Sequence, residues 1–548
     1  MKNKHLFLLA LTGFVTCNTW AQSVNFHQRN GIVRFMDYAE MDSINFSDDE
    51  TFASFYMGNS IATYPLQQID SLTFNCNVST AKAFPDGTDF KNLVINSISP
   101  AHTNNGEDTE EIYSQEKTIV ITYNGSSASA NTSVEGVDIS ISGADVTVKS
   151  TKGKVRYRLT GTTQNGSFKM LANDEVTEEN KKFVLEFKDA NITNLDGPAI
   201  NIQSGKSVYV NIASGTTNYL KDGTMYFGPE GEDRKGTFFS EGQLIIDGSG
   251  TLNITSYGGH GLCSDDYIHL RKTCGTININ SAKDGINTKD HLIMLGGTVN
   301  ITAQDDGVTV SEGFVGMYGG ELRINSVDNG ISADYSANDT THIDILGGYT
   351  EINTTGPKGH AIATSGKLNI SNAVIKADVK GSASKAVSAD LDITIADSYL
   401  KLQTSGSPLY DDAEADYSSA AGIRAKSALA VSKSEIAILS SGEGGKGINA
   451  IGNVTLNESN ITVVTEGNSF SNGTENVRPR AIDAGSLTIQ VNNLLNVSSG
   501  HAAIYTEQDL NISGGETFAF STDNSVKCIN VKGNTNHTGG LFMRSIGK

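Results

Sequence analysis

Carboxylates recur in this chain at a spacing suited to holding a cation. Asp284, Asp305, Asp306 and Asp328 stand at the start of, or one residue before, a short landmark of a small residue and an aliphatic one. The landmark reads HGL at 260–262, DGI at 284–286, DGV at 306–308 and NGI at 329–331. A second acidic set, Asp265, Asp266 and Asp290, continued by Glu312 and Asp334, follows the landmark glycine by four or five residues. If successive copies stack, equivalent carboxylates lie about 5 Å apart and repel unless water screens them, a proton neutralises them or a cation bridges them. Calcium suits such a bridge, because it accepts roughly six to eight oxygen ligands in tolerant geometry. The competing reading is structural, since Asp-Gly and Asn-Gly are ordinary turn chemistry.

Other catalytic patterns are weak. The sequence holds no nucleophile elbow, HExxH, phosphate loop or dinucleotide fingerprint in a convincing context. His260 and His360 stand at landmark positions, where a turn histidine has an ordinary structural role. Acidic pairs are too abundant for their presence to argue glycoside hydrolysis.

The elements that position these residues are repeats. GSGTLNIT (248–255), CGTININS (274–281), GGTVNITA (296–303) and GGELRINS (319–326) each open on a turn and then alternate apolar with polar residues. Their glycines, Gly250, Gly275, Gly297 and Gly320, are 25, 22 and 23 residues apart. No segment carries a sustained helical stripe. A unit of this length with two or three short strands predicts an all-β fold, a right-handed parallel β-helix in which each coil pairs with the next. After Asp334 the landmark recurs at HAI (360–362), KAV (385–387), AGI (421–423), KGI (446–448), RAI (480–482) and AAI (502–504). Insertions at 405–419 and 466–478 are expected as loops, and about a dozen coils fit from Ala199 onward. Strand asparagines such as Asn253, Asn278, Asn300 and Asn369 form either an internal amide ladder or the polar face of the strands, and the alternation favours the polar face.

Residues 1–21 read as a secretory signal, with Lys2 and Lys4 before an apolar run from Leu6 to Val15. Lipidation at Cys17 is the weaker alternative. Residues 22–80 form a small β-module with an internal doublet, NGIVRFMDYAEMDSINF and NSIATYPLQQIDSLTF, in which Phe46 matches Phe74. Residues 81–117 read as a polar linker and 118–548 as the β-helix. No later segment is apolar and long enough for a transmembrane helix. Without the signal, 39 basic residues face 61 acidic ones, a net charge of −22, which disfavours nucleic acid and anionic membranes. The sequence reads as a monomer. The remaining cysteines are too few for a disulfide scaffold. Cys263 and Cys274 fall in one repeat and either pair or serve as buried thiols.

The run from Ser240 to Asp334, with VTVKS, YRLTGTTQNG, NITNLDGPAINIQSG and NIASGTTNYLKDG upstream, resembles a family of secreted bacterial carbohydrate-binding proteins. That family is similar to family 9 pectate lyases in fold and carries calcium. The doublet at 24–80 resembles the short N-terminal β-module of many bacterial surface proteins. The resemblance implies calcium-assisted binding of plant-type or acidic polysaccharide, polygalacturonate or a cellulose-like glycan, with no catalysis. Lys283 and Lys289 are the nearest candidates for a lyase base. Trp20, the only tryptophan, falls in the signal, so sugar stacking is assigned to Tyr257, Tyr267, Tyr318 and Tyr335. The rival expectations are a calcium-dependent pectate lyase-like enzyme and a surface adhesin with a protein partner.

Overall fold

The computed structural model describes residues 117–171, 182–334, 341–412, 415–523 and 525–546, together with strands between residues 21 and 76. The chain divides into two compact units. One comprises Asp89–Leu400 with Ala425–Ser427, and the other Met1–Thr88, Lys401–Arg424 and Ala428–Lys548. No helix occurs among the described residues, and the β-solenoid has about 15 turns. The dozen coils counted from Ala199 thus gain the less regular turns that precede it.

In the first unit, strands at equivalent positions pair in parallel from rung to rung. Thr251–Thr255, Thr276–Ser281, Thr298–Ala303, Glu321–Ser326 and Tyr349–Thr354 make one column, in which Ile277 faces Val299 and Val299 faces Leu322. Ile286–Thr288, Val308–Val310, Ile331–Ala333 and Ile362–Thr364 make a second. Ile268–Leu270, His291–Met294, Phe314–Met317 and His342–Ile345 make a third. The alternation read from sequence sets the facing, so Ile277, Ile279, Val299, Ile301, Leu322 and Ile324 are buried while Thr276, Asn278 and Asn300 stay at the surface. The landmark glycine answers a packing need. A Cβ on Gly307 would overlap the Ile324 side chain and lie 2.6 Å from Gly330 O, so the backbone there passes directly under the next rung.

The start of this unit closes the ladder with antiparallel pairs. Ser127–Ala130, of small residues, pairs with Lys117–Asn124, and Val137–Ser142, which alternates aliphatic with polar residues, pairs with Asp145–Ser150. Cys263 and Cys274 are buried free thiols.

In the second unit, Lys446–Asn457 and Arg480–Ile489 are parallel neighbours, as are Glu435–Ser440, Asn460–Thr465, Leu494–Ser499 and Glu516–Ser521 in turn. The two insertions are antiparallel hairpins, Leu409–Asp411 with Asp416–Ser418 and Phe470–Ser471 with Asn476–Val477. Toward the N-terminus, each half of the doublet gives one strand to each of two three-stranded antiparallel sheets. These sheets are Val33–Asp37, Ala21–Gln28 and Ile69–Cys76, and Ser43–Phe46, Phe52–Met57 and Ser60–Pro65. Phe46 and Phe74 therefore lie in different sheets.

Candidate functional site

The acidic landmark residues sit in the turn between the first and second strand columns. Their side chains form a ladder to the backbone of the following rung. His260 Nδ1 accepts the Asp284 N–H at 3.3 Å, Asp284 Oδ1 accepts that of Asp306 at 3.3 Å, and Asp306 Oδ1 accepts that of Asn329 at 2.7 Å. Asn329 Oδ1 then accepts the His360 N–H at 2.9 Å, and His360 Nδ1 that of Lys385 at 3.1 Å. Asp, Asn and neutral His share one property, an acceptor at the right reach. These side chains therefore have a structural role as acceptors for the backbone of the next rung. Burial lowers His260 against the pull of Asp284, and burial, with Lys385, Lys358 and Lys426 nearby, pushes His360 down to about 3.

The same turn also gathers charge. One carboxylate oxygen from each of Asp305, Asp306 and Asp328 falls within a cluster whose atoms are all within 4.8 Å of one another. Asp328 N donates to Asp305 O at 3.3 Å, which stacks the two residues directly. Burial, followed by Asp284 and Asp328, drives the Asp306 carboxyl up to about 7 against the pull of the Asn329 N–H. Asp328 is raised by burial, Asp305 and Asp284. The donor chemistry fits a hard divalent cation, since three carboxylates at this separation are held together at a cost that a cation removes. Asp284 is more committed. It is 6% exposed, its Oδ2 accepts from Asn287 Nδ2 at 2.8 Å, and His260 Nδ1 lies 3.4 Å from the same oxygen.

The second acidic set is interleaved with cations and amides. Lys235 Nζ donates to Asp265 at 2.6 Å, Gln243 Nε2 donates to Asp266, and Lys289 Nζ lies 3.3 Å from Glu312. Asp266 is raised by burial and by Asp290, whose N–H reaches Asp266 O at 3.0 Å. Lys289 is thus directed to Glu312. Lys283 occupies the turn position of Asp305 one rung earlier and is exposed.

The tyrosines divide by environment. Tyr257 is 53% exposed and its N–H is held by Asp222, whereas Tyr318 is 8% exposed and buried beside Gly316. Tyr335 lies outside the described residues. Tyr267 is half-buried in an aromatic column that sequence reasoning did not single out. Its ring stacks on His269 and His291 with centroids 4.2 and 4.7 Å away, and His291, Phe314 and His342 follow at 4.9 and 4.8 Å with planes within 5°. The signal was present, because His291, Phe314 and His342 open equivalent strands. The strand asparagines are both polar face and ladder: Asn278 Nδ2 donates to Asn253 Oδ1 at 2.9 Å and Asn300 Nδ2 to Asn278 Oδ1 at 2.8 Å, all on the outer side.

Residues 142–382 match the model of a family described as carbohydrate-binding domain-containing protein. That span holds both acidic sets and the aromatic column, and it ends before the landmarks at 385, 446 and 480. A solved structure described as the polysaccharide lyase-like protein from C. thermocellum, in a gadolinium derivative, aligns at 23% identity and a TM-score of 0.38. The alignment covers 48% of this chain and 91% of that one. No curated protein matches. Among the described residues, no helix is long and apolar enough to cross a membrane.

Proposed function

We propose that this protein is a secreted, non-catalytic polysaccharide-binding protein that uses calcium at Asp305, Asp306 and Asp328 to hold acidic glycans. The observation that carries the reading is the convergence of these three carboxylates, inside the segment matched by a carbohydrate-binding family. An acidic surface repels a polyuronate, and a bound divalent cation reverses the local sign and leaves coordination positions for sugar carboxylates and hydroxyls. Asp306 and Asp328 supply ligands from adjacent rungs, while Asp284 holds the Asp306 backbone in place. Tyr257 is the exposed ring on this face of the reading, and Tyr267 contributes the edge of its column.

Affinity electrophoresis through polygalacturonate, a cellulose derivative and a neutral control, run with calcium and with EGTA, tests this function. Calcium-dependent retardation in the uronate gel, without appearance of an ultraviolet-absorbing unsaturated product, is expected. Equal migration with calcium and EGTA removes the metal from the function, and an unsaturated product makes the protein a lyase.

A further inference from the structure

Eight large apolar side chains are exposed among the described residues of the first unit. Five of them, Leu195, Met225, Phe227, Tyr257 and Val327, lie on the turn edge that carries Asp305, Asp306 and Asp328. The other three, Ile141, Tyr219 and Leu391, fall outside it. Exposure along the edge runs from 40% at Val327 to 63% at Met225. Single exposed apolar residues are ordinary, whereas a row of them on one edge marks a contact surface.

Hydrogen bonds between turns fix the order of the row. Phe227 N donates to Asp196 O at 2.7 Å, which seats its turn on that of Leu195. Tyr257 N donates to Asp222 Oδ1 at 2.5 Å, which seats the Tyr257 turn on the other side. Ala282 N then donates to Ser256 O, and Gln304 N to Ser281 O, both at 3.1 Å. Tyr257 therefore stands two rungs before Asp305, about 10 Å along the stack, and Val327 adjoins Asp328 on the far side of the cluster. Exposed Lys283 occupies the rung between.

Met225 and Phe227 belong to the long turn 222–235, which is tied down at both ends. Asp222 is 1% exposed and accepts from Tyr226 Oη, from Thr237 Oγ1 at 2.8 Å and from Ser256 Oγ at 2.6 Å, besides the Tyr257 N–H. Toward the other end, Glu232 accepts from Lys169 Nζ and, at 2.9 Å, from Asn201 Nδ2. One buried carboxylate thus holds the Tyr257 turn and the start of the Met225–Phe227 turn together. The row is formed before any ligand arrives, which lowers the ordering cost of binding.

The row is also narrow. Thr255, Ser256, Gly258 and Gly259 flank Tyr257 in the chain, and Lys283, Asp305 and Asp306 continue the edge with charge. A stable protein partner covers about 800 Å² on each side, more than such a strip supplies. A sugar ring suits it better, because its apolar face packs on open rings and thioethers while its hydroxyls stay wet. We infer that Met225, Phe227 and Tyr257 form a stacking shelf for pyranose rings, so that the glycan runs along this turn edge, from the shelf past Lys283 to Asp305, Asp306 and Asp328. That the occupant is a glycan rests on the carbohydrate reading above; stacking on the shelf itself needs no cation.

The test is affinity electrophoresis of the full chain through hydroxyethylcellulose and polygalacturonate, each with calcium and with EGTA, for the wild type and for Phe227→Ala, Tyr257→Ala and Leu391→Ala. Phe227 and Tyr257 are exposed, so their substitution is expected to weaken retention about tenfold at an unchanged melting temperature. Leu391 is 47% exposed on the turn after the second strand column, and its substitution is expected to leave retention as in the wild type. Calcium-dependent retention that Phe227→Ala and Tyr257→Ala leave unchanged overturns the shelf and leaves the function proposed above standing. Retention that is equal in EGTA and calcium but lost in both variants does the opposite. A wild-type dimer in sedimentation that Phe227→Ala dissolves puts a second copy on the row and overturns the glycan assignment, as does free migration of the wild type in both polymers.

Discussion

The rungs around Asp306 and the rungs around Arg480 share one repeat position and use it in opposite ways. At Asp306 the side chain accepts backbone N–H groups from the next rung, and neighbouring Asp284, Asp305 and Asp328 leave negative charge unbalanced. At Arg480 and Lys446 the long side chains turn to Asp483, the residue directly after the RAI landmark, where the acidic rungs carry Asn287 and Thr309. The contrast teaches that the solenoid constrains the small and aliphatic residues of the landmark and leaves the charge before them free. One scaffold therefore presents an acidic turn in one unit and a basic one, paired with its own carboxylate, in the other.

The same chemical change should act with opposite sign in the two places. Asp483→Asn strips the shared carboxylate from two largely buried cations and is expected to lower stability by about 3 kcal/mol, seen as a clear fall in the chemical-denaturation midpoint. A midpoint equal to wild type would show that Lys446 and Arg480 do not depend on Asp483.

A pH series separates proton from metal at the acidic turn. A carboxyl raised from 3.8 to about 7 binds its proton more tightly in the folded state, so its stabilising contribution is full below 3.8 and is lost as pH climbs toward 7. Calcium competes for the deprotonated form. The stabilisation by calcium, read as the rise in melting temperature, is therefore expected to be near zero at pH 4 and largest at or above pH 7, where it corresponds to about 3 kcal/mol of unfolding free energy at a hundredfold excess over Kd. A calcium effect independent of pH would place the metal elsewhere.

Asp306→Asn reproduces at one rung what Asn329 already provides at the next. Without calcium at neutral pH it is expected to stabilise the protein by about 1 kcal/mol, because the acceptor is kept and the repulsion is removed. It is also expected to abolish the calcium increment, and isothermal titration with calcium checks both halves of that statement against the melting curve. The smallest effect belongs to Asn278→Ala on the outer amide ladder, about 0.5–1 kcal/mol of destabilisation by denaturant titration, since a half-exposed amide exchanges partners with water.

Much of the fold was legible. The steps of 25, 22 and 23 residues and the alternation through Ile277, Val299 and Leu322 are local properties of the chain, and they dictate strands that stack in parallel. The glycine landmark was legible as a marker, but its reason was not, because the contact of Gly307 with Ile324 depends on how the first and second strand columns meet. The acidic turn was half legible. Asp305, Asp306 and Asp328 could be named, yet the oxygens of Asp284 and Asp306 already used by backbone and side-chain donors could not. The histidine and phenylalanine column was overlooked because a longer step separates Phe314 from His342 than separates His291 from Phe314.

Periodicity and composition were enough to specify an all-β solenoid with charged turns, since backbone pairing between rungs follows from repeat length and from which side chains avoid water. Which charges converge, which share a counter-ion and which are consumed by the backbone was settled in three dimensions. Asp306 and Asp328 are 22 residues apart in the chain, and Arg480 is 34 from Lys446. Their meeting depends on the register between rungs, to which no local stretch of sequence has access.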